Sequence, residues 1–170
     1  MKIFIITPFP ELIDNFMNGT MIKKAQDKAL VNYKTLNLFD YTDYPHRNID
    51  DYPFGGGEGM VMKPEPIFRA FDYINNKVDG VNNVIYPTPD GKVFNQSEAN
   101  KLKTSESLVF ICGHYKGIDQ RVRNNIVTDE RLLEACHIKP RIKCTASEQM
   151  DSMNGVMLTP TIHTLFDDGF

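Results

Sequence analysis

Residues 83–125 run twice through one pattern: a short apolar stretch, a loop holding glycine, then a helix-type segment. Residues 83–86 and 108–112 are the apolar stretches, each of strand length and each closed by turn residues. The loops are Pro87-Thr88-Pro89-Asp90-Gly91 and Gly113-His114-Tyr115-Lys116-Gly117. Helices are predicted over 95–102, with Asn95 as N-cap and Glu98 at the capping-box position, and over 119–125. A strand followed by a helix and then another strand returns parallel to the first. The fold class is therefore α/β, a mainly parallel sheet with helices on both faces. Both loops then fall at the carboxyl edge of that sheet, where open α/β sheets take their ligands.

The upstream text agrees. Residues 2–7 read as a buried strand, and Pro10 opens a helix whose Leu12, Ile13, Phe16 and Met17 recur at helical spacing. A second helix is predicted over 21–29, with Lys23, Lys24 and Lys28 outward, and a strand over 31–38. Residues 40–59 are loop, and 64–75 form a helix turning Ile67, Phe68, Phe71 and Ile74 to the core. Beyond Glu130 the alternation stops. We place a boundary there, with an α/β domain over 1–130 and a divergent, linker-like tail over 131–170.

Composition narrows the class. The 170 residues are enough for one core. No apolar run approaches the roughly 18 residues of a membrane span. The basic, apolar start is cut by Pro8 and Pro10, so it reads as the first strand of a cytoplasmic protein. A net charge of −3 argues against a generic nucleic-acid coat but leaves room for a local RNA site. Cys112, Cys136 and Cys144 have no C-x-x-C spacing, which fits reduced thiols and no metal site.

Three segments carry chemistry. In Asp50-Asp51-Tyr52-Pro53-Phe54-Gly55-Gly56-Gly57-Glu58-Gly59-Met60, Gly55, Gly56, Gly57 and Gly59 let the backbone approach a ligand, yet the Lys-Ser/Thr of a phosphate-binding P-loop is absent. The segment from Tyr86 to Gly91 is, alone, a proline turn. In the third, His114 is either a proton carrier or a surface polar residue, and Cys112 reads as a small buried hydrophobe.

Together and in this order, these segments resemble the bacterial tRNA (guanine-N1)-methyltransferases of the knotted SPOUT class. The resemblance is carried by Thr7-Pro8-Phe9-Pro10-Glu11, residues 50–62 with Lys63-Pro64-Glu65-Pro66-Ile67, residues 84–91 and residues 112–121, and it extends to about residue 130. It implies a trefoil-knotted domain that binds S-adenosylmethionine between loops. Tyr86, Pro87, Thr88 and Pro89 match the first loop, and Gly113, His114, Tyr115 and Lys116 the second. Gly55, Gly56, Gly57 and Gly59 match the wall beside the target guanine. It further implies a homodimer with tRNA across both subunits, and methylation at N1 of the guanine 3′ of the anticodon. Lys116 stands where many members carry Glu.

The chemistry of that reaction is a positioning task, because a sulfonium methyl is already electrophilic. Guanine N1 holds a proton at neutral pH, so a base is required, and an arginine suits the charge developing on O6. The resemblance places the base at Asp151 and the arginine at Arg131. After Glu130 the family's Ile-Gly-Asp-Tyr-Val-Leu segment, which forms the third cofactor loop, is not matched, nor is its carboxy-terminal helical domain. An incomplete knot is therefore expected. The alternative is an inactive remnant of that family, acting at most as a dimerisation or RNA-binding module.

Overall fold

The computed structural model describes residues 1–78, 80–81, 83–132, 134–137 and 155–158. Its centre is a five-stranded sheet. The strands are β1 (Lys2–Thr7), β2 (Asn32–Asn37), β5 (Val84–Val93), β6 (Ser107–Ile111) and β7 (Asp129–Leu132). They lie in the order β2-β1-β6-β5-β7, every neighbouring pair parallel. Between them come helices α1 (Pro10–Met17), α2 (Thr20–Asp27), α3 (Pro64–Asn75), α4 (Gln96–Leu102) and α5 (Gln120–Asn125). Two short antiparallel pairs stand apart: β3 (Asp50–Asp51) with β4 (Val61–Met62), and β8 (Glu134–His137) with β9 (Gly155–Leu158). The parallel α/β class expected from the alternation is the class observed.

Register assigns the faces. Phe4 pairs with Val109 and Lys34, Ile6 with Ile111 and Leu36, and Val84 with Val109. Partners in a parallel register share a face. This face packs against Ile67, Ala70 and Ile74 of α3, all fully buried, and against Ile118 and Val122. The opposite face carries Ile5 and Thr35, whose hydroxyl donates to Asp14 of α1 at 2.8 Å. Helices therefore cover both faces, which is why the central strands are apolar on both sides. The apolar spacing of α1 overstates its burial. Met17 alone is buried in that helix, and Phe16 is 70% exposed, because α1 lies over the edge strand β2 rather than over the sheet centre.

Local chemistry sets the element ends. Pro10 occupies the first turn of α1 and Pro64 that of α3, where a missing N–H costs nothing. The Asn95 side chain caps α4, accepting from the Glu98 N–H at 3.1 Å as its spacing predicts. One strand is longer than its apolar run. β5 continues to Val93, and its pairing with β7 shifts between Pro87 and Lys92, both opposite Arg131. Residues 88–91 bulge out of the ladder, since Pro87 and Pro89 have no N–H to donate. β7 spans the boundary placed at residue 130 and belongs to the main sheet. Among the described residues no helix is long and apolar enough to cross a membrane.

Candidate functional site

β5 and β6 are neighbours, so loops 86–91 and 113–117 leave the sheet side by side at its carboxyl edge. Tyr86 joins them. It is 5% exposed and rests against two glycines. A Cβ on Gly113 would lie 3.0 Å from Tyr86 Cε2, and one on Gly117 3.0 Å from the Tyr86 hydroxyl. Gly117 also has φ +124°, which L side chains rarely adopt. Burial raises the Tyr86 pKa above the ordinary phenol value, opposed by Arg123 and by hydrogen bonds with the Ile118 backbone and Thr88. The phenol is therefore neutral at physiological pH.

The glycine-rich segment reaches the same edge through β4. Met62 N–H donates to Gly117 O at 2.9 Å, and Asp119 N–H donates to Met62 O at 3.0 Å. Lys116 N–H donates to Met60 O at 3.1 Å. Gly59 lies under the Lys116 stem, where a Cβ would come within 2.8 Å of Cε. Gly55, Gly56 and Gly57 all have positive φ, and among the described residues nothing lies within 4 Å of where a Cβ would stand. Of the four glycines singled out in the sequence, the fold brings Gly59 to loop 113–117.

The His114 ring meets Phe9 edge-on at 4.9 Å and Tyr115 at 4.3 Å, and its backbone N–H points to Met62 Sδ at 3.0 Å. Burial lowers the His114 pKa, with Asp50 opposing, so the imidazole is neutral at physiological pH. Burial pushes the Cys112 thiol up to about 11, which removes it as a nucleophile at neutral pH. Its N–H donates to Ile6 O at 2.9 Å, fixing where loop 113–117 begins.

The buried Thr88 hydroxyl donates to Asp90 Oδ1, and Arg123 Nη2 donates to Asp90 Oδ2 at 2.8 Å. These two bonds hold the Asp90 carboxyl down at about 2. A depressed folded-state value stabilises the fold above the unfolded carboxylate pKa of about 3.9. That contribution is lost as pH falls through about 2. An NMR titration of the Asp90 carboxyl is thus expected to show it ionised at pH 3.5; a midpoint near 4 would mean that the pair does not form in solution. Beside this pair is a cavity of about 350 Å³ lined by Asp90, Gly91, Lys92, Val127, Thr128 and Asp129.

Arg123 lies within the helix predicted over 119–125 and Asp50 within the glycine-rich segment, and sequence reasoning gave neither a role of its own. No local signal marks the bond between Arg123 and Asp90, since the two lie 33 residues apart. Arg131 places its backbone opposite Pro87 and Lys92 in the sheet, next to the first loop. Asp151 lies outside the described residues.

Comparison with known proteins follows the same division. A family model described as tRNA (Guanine-1)-methyltransferase TrmD matches residues 1–135. A tRNA (guanine-N(1)-)-methyltransferase of Staphylococcus epidermidis is 47% identical over 130 residues, covering 76% of this chain and 52% of the relative. One of Bacteroides fragilis is 48% identical over 130 residues, covering 76% and 57%. The crystal structure of a tRNA (m1G37) methyltransferase from Aquifex aeolicus superposes with TM-score 0.72 at 36% identity, covering 79% of this chain and 60% of that one. The chain spans about half the length of the curated relatives it matches. A second family model, described as HNH endonuclease, matches residues 110–170 and takes in the antiparallel pair β8–β9.

Proposed function

Because the chain belongs to the tRNA (guanine-1)-methyltransferase family, we propose that it transfers a methyl group from S-adenosylmethionine to N1 of the guanine 3′ of the anticodon, position 37. The observation that carries this reading is Tyr86 seated on Gly113 and Gly117, which welds two loops into one crevice at the ligand-binding edge. The residues suit such a cofactor. The cavity beside residues 90–92 is in the size range of small-molecule sites, with Asp90, Lys92 and Asp129 among its lining residues. When bound, the cofactor supplies the electrophilic methyl.

This chain's residues do the rest. Tyr86, Pro87, Thr88 and Pro89 hold one side of the cofactor, and Gly113, His114, Tyr115 and Lys116 the other. A neutral His114 keeps added positive charge away from the sulfonium. Gly55, Gly56, Gly57 and Gly59 form the wall for a guanine that has left its stack. On the family resemblance, Asp151 takes the N1 proton and Arg131 faces the developing charge on O6. The working unit is a cytoplasmic homodimer. The named relatives are methyltransferases, so they lend no support to the inactive-remnant reading.

The HNH match favours a second reading for residues 110–170, in which the tail is an endonuclease segment that cuts nucleic acid. One experiment weighs both. The chain is incubated with unmodified tRNA and methyl-labelled S-adenosylmethionine in magnesium buffer, and the RNA is analysed for N1-methylguanine and for strand breaks. We expect label in N1-methylguanine, abolished by Asp151→Asn. Unmethylated but cleaved tRNA would replace this reading with the second. Undiminished labelling in the variant would remove Asp151 from the reaction.

A further inference from the structure

We propose that Arg123 is a positioning residue for the first cofactor loop: its guanidinium, bonded to Asp90 and lying over Tyr86, sets the shape of residues 86–91. The proposal rests on the methyltransferase reading for what the loop binds. The loop needs an outside anchor. Residues 88–91 leave the β5–β7 ladder, and two prolines reduce what the backbone can donate there. Two side chains of the loop, Tyr86 and Asp90, meet one cation, and Thr88 between them holds Asp90. Arg123 Cζ lies 5.8 Å from the Tyr86 ring centroid. Its Nη2 donates to Asp90 Oδ2 at 2.8 Å, and the remaining Asp90 oxygen accepts from the buried Thr88.

The anchor is itself fixed. Arg123 follows Val122, which is fully buried in the core, so α5 cannot slide without emptying that site. The side chain is 21% exposed, while Asp90 is 63% exposed. An ion pair with one exposed member adds little to global stability. Its consequence is local, ordering a segment whose backbone is otherwise weakly tied. Arginine suits the task because a planar guanidinium can stack on a ring and hydrogen-bond a carboxylate at once, which an ammonium cannot.

The test uses the full chain with Arg123→Met, Arg123→Lys, Asp90→Asn and the Asp90→Asn/Arg123→Met double variant. Hydrogen exchange reads the loop amides, and calorimetric titration reads S-adenosylmethionine affinity. In Arg123→Met we expect loop exchange about tenfold faster, with the melting temperature nearly unchanged. Affinity should fall about fivefold. Asp90→Asn should behave alike, and the double variant should be no worse than either single. Arg123→Lys should fall between. Unchanged exchange in Arg123→Met, additive losses in the double variant, or full recovery by lysine would each overturn the proposal. If the unsubstituted chain takes up no S-adenosylmethionine, the functional reading fails, while loop exchange still decides whether Arg123 holds residues 86–91.

Discussion

Replacing Gly117 with alanine is expected to destabilise the protein by about 1–3 kcal/mol and to weaken cofactor binding at the same time. Two separate costs meet at this residue. An L side chain at φ +124° is strained wherever it sits. The new methyl would also come within 3.0 Å of the Tyr86 hydroxyl, which is boxed in by the core and cannot yield cheaply. Gly113 separates the two. Its φ is not positive, so Gly113→Ala carries the steric cost alone, meeting the Tyr86 ring edge at 3.0 Å and hydroxyl at 3.2 Å, and should cost less. Adding Tyr86→Phe to Gly117→Ala should recover the steric share and leave the strain. Urea denaturation with parallel titration of S-adenosylmethionine checks this. Equal losses for the two glycines, or complete rescue by phenylalanine, would contradict the division.

Ile6→Ala should have the larger effect on stability, about 2–5 kcal/mol. Ile6 is fully buried on β1, with Leu36 and Ile111 as its register partners. Losing its outer carbons leaves a cavity between the sheet and the helices of that face. Against a total stability of about 5–15 kcal/mol, that is enough to populate unfolded chain at 37 °C. The same substitution at the 70% exposed Phe16 should stay within about 0.5 kcal/mol. A loss under about 1 kcal/mol at Ile6 would mean that the core collapses around the gap. The Ile6 carbonyl also accepts the Cys112 N–H, so a shifted β1 would move the start of loop 113–117. We therefore expect affinity for the cofactor to fall along with stability.

Periodicity was sufficient for most of the architecture. Short apolar runs, proline at the first turns of α1 and α3 and the Asn95 cap act over a few residues, and each element formed where its local signal stands. Where long-range pairing competes, local reading fell short. Residues 92–93 rejoin the ladder only because β7 lies alongside, so β5 outlasts its apolar run. Phe16 fits a helical stripe, yet it is 70% exposed at the sheet edge.

The candidate site divides the same way. The glycines and prolines marked both loops, because their backbone demands are local, and the family entered through the resemblance those segments carry. The seating of Tyr86 on Gly113 and Gly117, the tie from Met62 to Gly117, and the hold of Arg123 on Asp90 all join residues far apart in the chain. Such contacts exist only once parallel strands have brought their carboxyl ends together, which is why the tertiary structure alone decided them.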